Sequence, residues 1–556
     1  MTTGKAAPIK TSPTFVKNYP AMSLRKVHFL LLSLLSAVLL ALGWPQQGFP
    51  GLLFIGFVPL FFIEEAILQH RERYGRFHVF RWAWLSFFVW NALTTWWIWN
   101  STIFGAVMAI ILNSLFQAIV FLAYHFVRRN LRPMSAGVLL LSAFWIGFEY
   151  LHLDWDLSWP WLNLGNGFAA YPRWIQWYEY TGVFGGSLWV ICANVLIFNI
   201  LKKILTEKST KVVVPAVALG MLIMIPLVIS FIMFNHYEEK GKPVEVVVVQ
   251  PNNDPWSKQY GLPTRQVIDK LIRLAESKTD STLRYVVFPE SGIYDDIWLD
   301  NIDKPESIQR LRAFVKEHPH LSLIVGASTY QYYGKIKATE TSRRFTDTGE
   351  WYDTFNSAIC IDTTQHYDYT HKSKLVPGPE RLPFPSLTRP LQDMAFDLGG
   401  TVGSLGTMKE RVVMGGRHDS LWVCVPICYE SIYGEFVNGF ISKGARLIFV
   451  ITNDGWWGNT AGHRQHLTFS SLRAIETRRD IARSANTGIS AFIDQRGIIT
   501  RQSKYWEEAV LRGTMHANTE ITFYVAYGDY IGRLCGFTAI LFILLAVTVA
   551  LRKKKL

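Results

Sequence analysis

The chain has 556 residues, too many for a single domain of ordinary size, and a formal net charge of +13. Half of its residues are hydrophobic and only 18% are charged, below the roughly 25% that is usual for soluble domains. The basic residues lie in short segments beside apolar runs, without a basic stripe of interleaved aromatic residues. The composition therefore favours a membrane protein with a sizeable soluble part and excludes nucleic acid as an expected partner.

Eight apolar runs are each about long enough to cross a bilayer, given the roughly 20 residues that a spanning helix needs. The polar and basic segment before them lacks the apolar stretch and cleavage site of a secretory signal. The predicted spans are 27–44, 51–69, 78–99, 104–127, 135–151, 186–201, 212–234 and 533–551. The predicted domains are an N-terminal segment (1–26), a seven-span domain (27–234), a soluble domain (235–530), and a last span with a basic tail (531–556).

Along the chain, predicted loops with clusters of Lys and Arg alternate with predicted loops that lack such clusters. Clusters of them stand before the first span, after every second span and at the C-terminus, whereas the loops at 45–50 and near residue 100 carry no charge. The loop at 152–185 is acidic to neutral and rich in Trp. Because basic loops stay in the cytoplasm, both termini are predicted to be cytoplasmic and residues 235–532 to lie on the opposite side of the membrane.

The soluble part alternates strand and helix signals, which predicts an α/β or α+β domain of nearly 300 residues. Several strand segments are apolar on both faces, as in a sheet that is covered on both sides. The predicted strands are 244–250, 284–290, 321–328, 356–362, 421–429, 445–453 and 489–497. The predicted amphipathic helices are 264–278 and 464–485.

Searches for known catalytic motifs exclude several enzyme classes. The chain has no G-x-S-x-G turn, no phosphate loop and no H-E-x-x-H pair. His463 and His466 have helical spacing, but a metal site would need a third ligand, so we interpret them as polar residues at a helix start. The five cysteines have neither zinc-site spacing nor the pattern of a disulfide framework. Neither a metal nor a cofactor is expected.

Three residues, two at predicted strand ends and one in a proline-stiffened loop, could together form a catalytic site. Taken alone, Glu290 fits a structural salt bridge, Lys372 a solvated charge and Cys428 a core cysteine. As a set they suffice for acyl transfer: a thiol nucleophile, a carboxylate base, and a cation for the oxyanion. Cys424, four residues before Cys428, is expected to lie on the same strand face and to have only a packing role.

The sequence resembles a known family in the blocks VVFPESGIY, HKSKLVPGPERLPF, VCVPICYESIYGEFV and ITNDGWWGNTAGHRQHLTFSSLRAIETRRDIARSANTGISAFID. These are similar to blocks of the nitrilase superfamily. With VVVVQPNNDP, the eight-span layout and the membrane segment WPWLNLGNGFAAYPRWIQWYEYTGVFGG, the resemblance is specifically to the apolipoprotein N-acyltransferase family. It implies an extracytoplasmic nitrilase-like αββα sandwich joined to a multi-pass helical membrane domain.

The resemblance also implies roles for single residues. Glu290 would be the general base, Lys372 the oxyanion stabiliser and Cys428 the nucleophile. Residues that would support the oxyanion or the site are Tyr429, Glu380 and Glu430. An aromatic residue early in the domain that would contribute to the site is Trp256 or Tyr260. Independently of the resemblance, Trp456 and Trp457 in the Trp-rich stretch 454–459 are predicted to bind substrate, because Trp suits an interface where acyl chains enter. The loop departs from the family at Gly378-Pro379, where Phe-Gly is usual.

The implied reaction moves a fatty acyl chain from the sn-1 position of a phospholipid, expected to be phosphatidylethanolamine, to the N-terminal diacylglyceryl-cysteine of an apolipoprotein. The implied location is the bacterial inner membrane, with a periplasmic catalytic domain and a monomeric chain. One alternative is a membrane-anchored nitrilase-type amidase acting on a soluble amide, which would share the three residues. A second is a transporter or receptor, which the scarcity of charges within the predicted spans disfavours.

Overall fold

A computed structural model describes residues 24–131, 137–205, 208, 210–256, 262–384, 404–415 and 420–555. Its N-terminal half is helical, and one further long helix ends the chain. These helices are α1 (Lys26–Leu42), α2 (Val58–Gln69), α3 (His78–Thr95), α4 (Ile103–Asn130), α5 (Gly137–Leu151), α6 (Tyr178–Leu205), α7 (Val213–His236) and, at the end, α13 (Tyr530–Lys555).

Each of the eight predicted spans corresponds to a helix. Among the described residues, five helical segments are long and apolar enough to cross a membrane: Pro50–Gln69, Ile103–Asn130, Tyr178–Leu205, Val213–His236 and Tyr530–Arg552. Helices α1 and α5 are apolar but shorter, with 17 and 15 residues. The membrane character of this half agrees with the sequence, whereas the count of eight and the orientation stay predictions.

A buried cluster of charges explains the two acidic residues in α2. The Glu65 carboxylate accepts a hydrogen bond from Lys202 Nζ at 2.7 Å and pairs with Arg128 Nη2 at 3.1 Å. Glu64 pairs with Arg128 as well and lies 2.8 Å from His125 Nδ1. Buried charges are tolerated when they are paired, so this cluster ties α2 to α4 and α6 rather than marking a transport path.

The soluble half contains two β-sheets with helices outside them. The strands are β1 (Lys242–Gln250), β2 (Leu283–Val287), β3 (Ile293–Trp298), β4 (Ser322–Gly334), β5 (Arg343–Arg344), β6 (Trp351–Ile361), β7 (Asp368–His371), β8 (Met414–Gly415), β9 (Trp422–Cys424), β10 (Leu447–Thr452), β11 (Ile481–Ala485), β12 (Ala491–Ile493), β13 (Ile499–Gln502) and β14 (Ala509–Ala517). The helices are α8 (Thr264–Glu276), α9 (Glu306–Glu317), α10 (Gly434–Ile441), α11 (Ala461–Thr477) and α12 (Phe523–Tyr527).

The two sheets pack face to face between helical layers. The first has the order β14-β1-β2-β4-β6-β5, with β3 beside β4 and β7 beside β6, and the second has the order β13-β12-β11-β10-β9-β8. Alternate residues of β1 explain the layering: Val246 and Val248 pack with Phe449 of the second sheet, whereas Val247 and Val249 pack with α8 and α9. A strand alternates its side chains between faces, so β1 reads as continuously apolar because both of its faces are covered.

The predicted helix 464–485 is wrong over its last third. Helix α11 ends at Thr477, Arg478 adopts a left-handed conformation with φ of 49°, and residues 481–485 form strand β11. β11 lies parallel to β10 and antiparallel to β12, and all five of its residues are buried. Sheet pairing on both sides overrides the helical periodicity that the sequence carries through this segment.

One hydrophobic cluster extends from the membrane half into the outer helical layer of the second sheet. The loop between α5 and α6 places Trp161 against Phe469 of α11, with ring centroids 5.1 Å apart. The same loop forms ion pairs with the segment after β7: Asp154 with Lys374 Nζ at 2.8 Å, and Asp156 with Arg381 Nη2 at 2.6 Å. The membrane half therefore supports the segment that carries Lys372.

Candidate active site

Cys428 stands at a strained turn just beyond strand β9. The strand ends at Cys424, Ile427 makes one further bridge to Ile451, and Cys428 begins a 3-10 turn that runs to Ile432. Cys428 is buried and has a φ of +52°, a left-handed conformation that costs a residue with a side chain about 1–3 kcal/mol. A strained residue that persists in a well-packed turn is a candidate functional residue.

Three charged side chains converge beside this turn. The Lys372 ammonium lies 3.1 Å from Glu290 Oε1 and 2.7 Å from Glu380 Oε1, and the Lys372 side chain is fully buried. Asn356, on β6, donates from Nδ2 to Glu290 at 2.7 Å and to Glu380 at 3.3 Å, and its carbonyl accepts from the Lys372 N–H at 2.7 Å. The N–H of Asn453 donates to Glu290 Oε2 at 3.0 Å. The structure thus brings Glu290, Lys372 and Glu380 together.

The charges at this site act on the Cys428 thiol. Burial and the Glu290 carboxylate raise the pKa of Cys428 well above its usual range, while Lys372 lowers it. For Lys372, burial lowers the pKa, but the Glu290 and Glu380 carboxylates outweigh burial and raise it. A thiol that stays protonated at neutral pH needs a base before it can attack, and a lysine that stays charged can stabilise an oxyanion.

Glu430 joins the nucleophile turn to the Lys372 segment. One oxygen of its carboxylate accepts from the Ile427 N–H at 2.8 Å. The other accepts from the N–H of Ser373 at 2.6 Å and of Lys374 at 3.3 Å. Burial raises the pKa of Glu430 to about 7, against the lowering effect of these hydrogen bonds. Glu430 therefore links the two segments, and its supporting role stays a prediction.

Glu430→Gln is expected to lower the activity of the site about 10- to 100-fold, because the amide NH2 meets backbone N–H donors where a carboxylate oxygen accepted them. It is also expected to change the pH dependence of stability. The folded state holds the Glu430 proton up to about pH 7 and the unfolded chain only to about 4.5, so stability falls as pH rises through this window. The variant should lose that decline, which thermal unfolding between pH 4 and 8 measures. An identical decline in variant and parent would contradict this assignment.

The membrane half also contacts Tyr429, the residue after Cys428. The Tyr429 hydroxyl donates to the Ser158 carbonyl at 3.0 Å, and the Tyr429 ring stacks on Trp159 with centroids 6.0 Å apart. Ser158 Oγ lies 2.9 Å from the Tyr433 hydroxyl. Tyr429 occupies the first turn of the 3-10 segment, where backbone N–H groups lack intrahelical acceptors. That N–H is therefore available as the oxyanion donor that the sequence predicts.

The predicted aromatic residues divide into two groups. Trp256 is exposed and meets Trp456 edge to face, with ring centroids 5.0 Å apart. Trp457 packs instead against Trp97 and Trp161, with centroids 4.9 and 5.7 Å away. Trp456 and Trp457 follow Asn453, whose N–H donates to Glu290, by three and four residues. Tyr260, the alternative to Trp256, lies outside the described residues.

A second group of buried polar side chains, formed by His466, Asp454 and Arg483, lies beside Cys428. His466 Nδ1 lies 2.9 Å from Asp454 Oδ1, and Asp454 Oδ2 accepts from Arg483 Nη2 at 2.5 Å. Cys428 Sγ, an Asp454 oxygen and a His466 nitrogen lie within 4.8 Å of one another, a spacing that a metal ion could bridge. The His466 and Asp454 donor atoms already contact protein partners, and those bonds would have to break before a cation bound. His466 lies in the second turn of α11, near the helix start as predicted, but its side chain is fully buried beside Cys428.

The expected shared face of Cys424 and Cys428 is also wrong. Cys424 packs with the helices outside the second sheet, whereas Cys428 packs between the two sheets. The strand ends between them, so the alternation of side chains does not carry through to Cys428. Both thiols are free.

Sequence reasoning missed two polar residues at the site, Asn356 and Thr452. Asn356 contacts both carboxylates, and Thr452 contacts the Cys428 thiol. Thr452 ends the otherwise apolar strand β10, where a buried polar group requires a partner, so it offered a signal. Asn356 offered none, because β6 also contains Asp353, Thr354 and Ser357.

Two family models match the chain in sequence order. The model described as "Apolipoprotein N-acyltransferase N-terminal domain" matches residues 36–196, and "Carbon-nitrogen hydrolase" matches residues 245–521. The chain belongs to the apolipoprotein N-acyltransferase family. The resemblance in the sequence is therefore confirmed, as is the nitrilase-like α/β fold of the soluble half.

Relatives named apolipoprotein N-acyltransferase match over nearly the whole chain. The protein of Chlorobaculum tepidum is 29% identical over 543 residues, covering 94% of this chain and 97% of that protein. The protein of Geobacter metallireducens is 27% identical over 520 residues, covering 91% and 92%. Among solved structures, Saccharomyces cerevisiae Nit3, a nitrilase-superfamily member, is 16% identical with a TM-score of 0.34, covering 50% of this chain and 92% of that one.

Proposed function

We propose that the protein transfers an acyl chain from the sn-1 position of a phospholipid, phosphatidylethanolamine, to apolipoproteins through a thioester on Cys428. N-acylation in lipoprotein maturation is the activity of its family. The observation that carries the proposal is the buried set of Glu290, Lys372 and Glu380 beside a strained thiol. The proposal assigns every step to groups of one chain and includes a monomeric enzyme.

In the first half-reaction, Glu290 accepts the Cys428 thiol proton as Sγ attacks the ester carbonyl carbon. Negative charge develops on the carbonyl oxygen, where the Lys372 ammonium and the Tyr429 N–H stabilise it. The C–O bond then breaks, and the proton on Glu290 passes to the departing oxygen of the lysophospholipid. The products of this step are a thioester on Cys428 and a free lysophospholipid.

In the second half-reaction, the free α-amine of the diacylglyceryl-cysteine attacks the thioester carbon. Glu290 accepts a proton from the attacking nitrogen, an amide C–N bond forms and the C–S bond breaks. The Cys428 thiolate leaves and takes up the proton that Glu290 holds. The same base and oxyanion donors therefore serve both halves of a ping-pong cycle.

Both substrates are anchored in lipid, and the architecture suits them. Ser158 and Trp159, in a loop between two membrane helices, contact Tyr429 directly. Trp side chains are enriched at membrane interfaces, which an acyl chain must cross when it leaves the bilayer. Cytoplasmic termini and a periplasmic site in the inner membrane follow from the basic loops and complete the proposal.

The test is acyl transfer by the full chain in vesicles of phosphatidylethanolamine that carries different acyl chains at sn-1 and sn-2. The acceptor is a diacylglyceryl-cysteine peptide with a free α-amine, and an N-acetylated peptide is the matched control. Mass spectrometry should show the free acceptor gaining the sn-1 chain and the blocked one gaining nothing. Transfer of the sn-2 chain would overturn the donor assignment, and ammonia release from a small amide without acyl transfer would favour the amidase.

A further inference from the structure

A buried chain of polar side chains ends on the backbone carbonyl of the nucleophile. His466 Nε2 lies 3.1 Å from the Cys428 carbonyl oxygen, and His466 Nδ1 lies 2.9 Å from Asp454 and 3.0 Å from Arg483 Nη2. Ser431 Oγ donates to the same carbonyl at 2.7 Å. The side chains of His466, Asp454 and Arg483 are almost completely buried. The mechanism above uses none of these contacts.

The His466 ring has one arrangement that satisfies this carbonyl. A proton on Nε2 makes a hydrogen bond to the Cys428 oxygen, whereas without it a lone pair on Nε2 would face the carbonyl lone pairs. The Ser431 hydroxyl already donates its only hydrogen to the same carbonyl oxygen, so it cannot also donate a hydrogen bond to His466 Nε2. The rings of Trp161 and Trp457, with centroids 5.9 and 5.6 Å away, fix the plane of the imidazole.

The carbonyl of Cys428 and the N–H of Tyr429 belong to one peptide group. That group is planar and trans, so its carbonyl and its N–H point in opposite directions. Two donors that hold the carbonyl therefore also set the direction of the N–H. The left-handed backbone conformation of Cys428 is itself unfavourable. This peptide would therefore relax to another orientation if the two donors were lost.

We propose that His466 is a positioning residue, which holds the Cys428–Tyr429 peptide through its Nε2–H and so aims the Tyr429 N–H at the oxyanion. Asp454 and Arg483 hold the far side of the ring. His466 takes no proton from the thiol, since its Nε2–H is engaged by the carbonyl. The inference rests on the proposed function for the oxyanion that the N–H serves, and it adds a residue that aims the donor.

Two substitutions separate the two sides of the ring. In His466→Gln the side-chain nitrogen reaches about as far as Nε2 and can still donate to the Cys428 carbonyl. In His466→Asn the nitrogen reaches only about as far as Nδ1, so it can contact Asp454 but not the carbonyl. We expect His466→Asn to slow thioester formation about 10- to 100-fold, less than the full loss of an oxyanion donor, and His466→Gln to restore most of the rate.

A fatty aldehyde and iodoacetamide distinguish aiming from folding in the same full-length variants. The thiol adds reversibly to the aldehyde carbon and its proton passes to the oxygen, so binding depends on the oxyanion donors. Alkylation by iodoacetamide displaces iodide from the thiolate and needs no oxyanion donor. We expect His466→Asn to weaken aldehyde binding about 10- to 100-fold with alkylation of Cys428 nearly unchanged, and His466→Gln to bind aldehyde almost as the parent does.

Equal loss of aldehyde binding and alkylation in both variants would overturn the proposal in favour of a purely structural histidine, and unchanged aldehyde binding in His466→Asn would overturn it as well. If His466→Asn fails to fold, Ser431→Ala removes the other donor to the carbonyl, and unchanged aldehyde binding there contradicts the proposal. Both probes work without a lipid donor. Failure of the proposed function would appear separately, as an absence of thioester from phospholipid in the parent chain.

Discussion

Cys428→Ala is expected to lower acyl transfer by at least about 10⁴-fold, because no other group can form the covalent intermediate. The lysine, the carboxylates and the oxyanion donor all remain in this variant. Direct attack of the acceptor amine on the phospholipid ester would still need both lipid substrates at the site together. The residual rate of the variant therefore shows how much catalysis the site provides without a covalent intermediate. This rate is measured as transfer of the sn-1 chain to a diacylglyceryl-cysteine peptide.

Cys424→Ala is the matched control for this prediction. Cys424 is also a buried free thiol of the same segment, but it packs on the opposite face of the second sheet. Its replacement removes one small buried atom, so we expect activity within about threefold of the parent and a modest loss of stability. Equal loss of activity in the two variants would indicate that packing, rather than thiol chemistry, explains the first result.

Lys372→Met is expected to lower activity about 10³-fold or more, since it removes the charge that faces the oxyanion. It has a second effect on the base. Glu290 and Glu380 share the Asn356 amide, and without Lys372 two carboxylates stay buried together with no counter-charge. Such a pair holds one proton to higher pH. The remaining activity should rise with pH across the neutral range, because the base becomes ionised only there.

Lys374→Met is the control for Lys372→Met. The Lys374 side chain lies two residues further on and contacts Asp154 and the Leu153 carbonyl rather than Glu290 or Glu380. Its loss weakens one contact with the membrane half and leaves the Lys372 charge in place. We expect its rate to stay within about threefold of the parent and its pH profile to be unchanged. Rates of thioester formation between pH 6 and 9 test both variants. A flat, fully active profile for Lys372→Met would contradict the assignment of Lys372.

The sequence predicted the membrane helices and the identity of the charged site residues for different reasons. The spans were visible because each is a long and largely apolar run, and lipid imposes that pattern on the chain directly. Glu290 and Cys428 were visible because each ends an apolar strand segment, and Lys372 because it lies in a proline-rich loop. The family resemblance then brought the three together, which spacing alone cannot do for residues up to 138 positions apart.

What the sequence did not predict depends on tertiary contacts. Strand β11 carries helical periodicity and is a strand because β10 and β12 pair with it on both sides. His466 resembled a polar residue at a helix start, and only the packing of α11 against the nucleophile turn buries it beside Cys428. The left-handed turn at Cys428 had no sequence signal, since glycine normally marks such a conformation.

The most direct test of the mechanism is the intact mass of the protein after incubation with phospholipid and no acceptor. The mechanism predicts a gain equal to one sn-1 fatty acid less one water, located on the peptide that contains Cys428. Neutral hydroxylamine should remove this adduct, the acceptor peptide should discharge it at the rate of turnover, and Cys428→Ala should not form it. Full turnover without an adduct, or the same adduct in Cys428→Ala, would contradict the thioester mechanism.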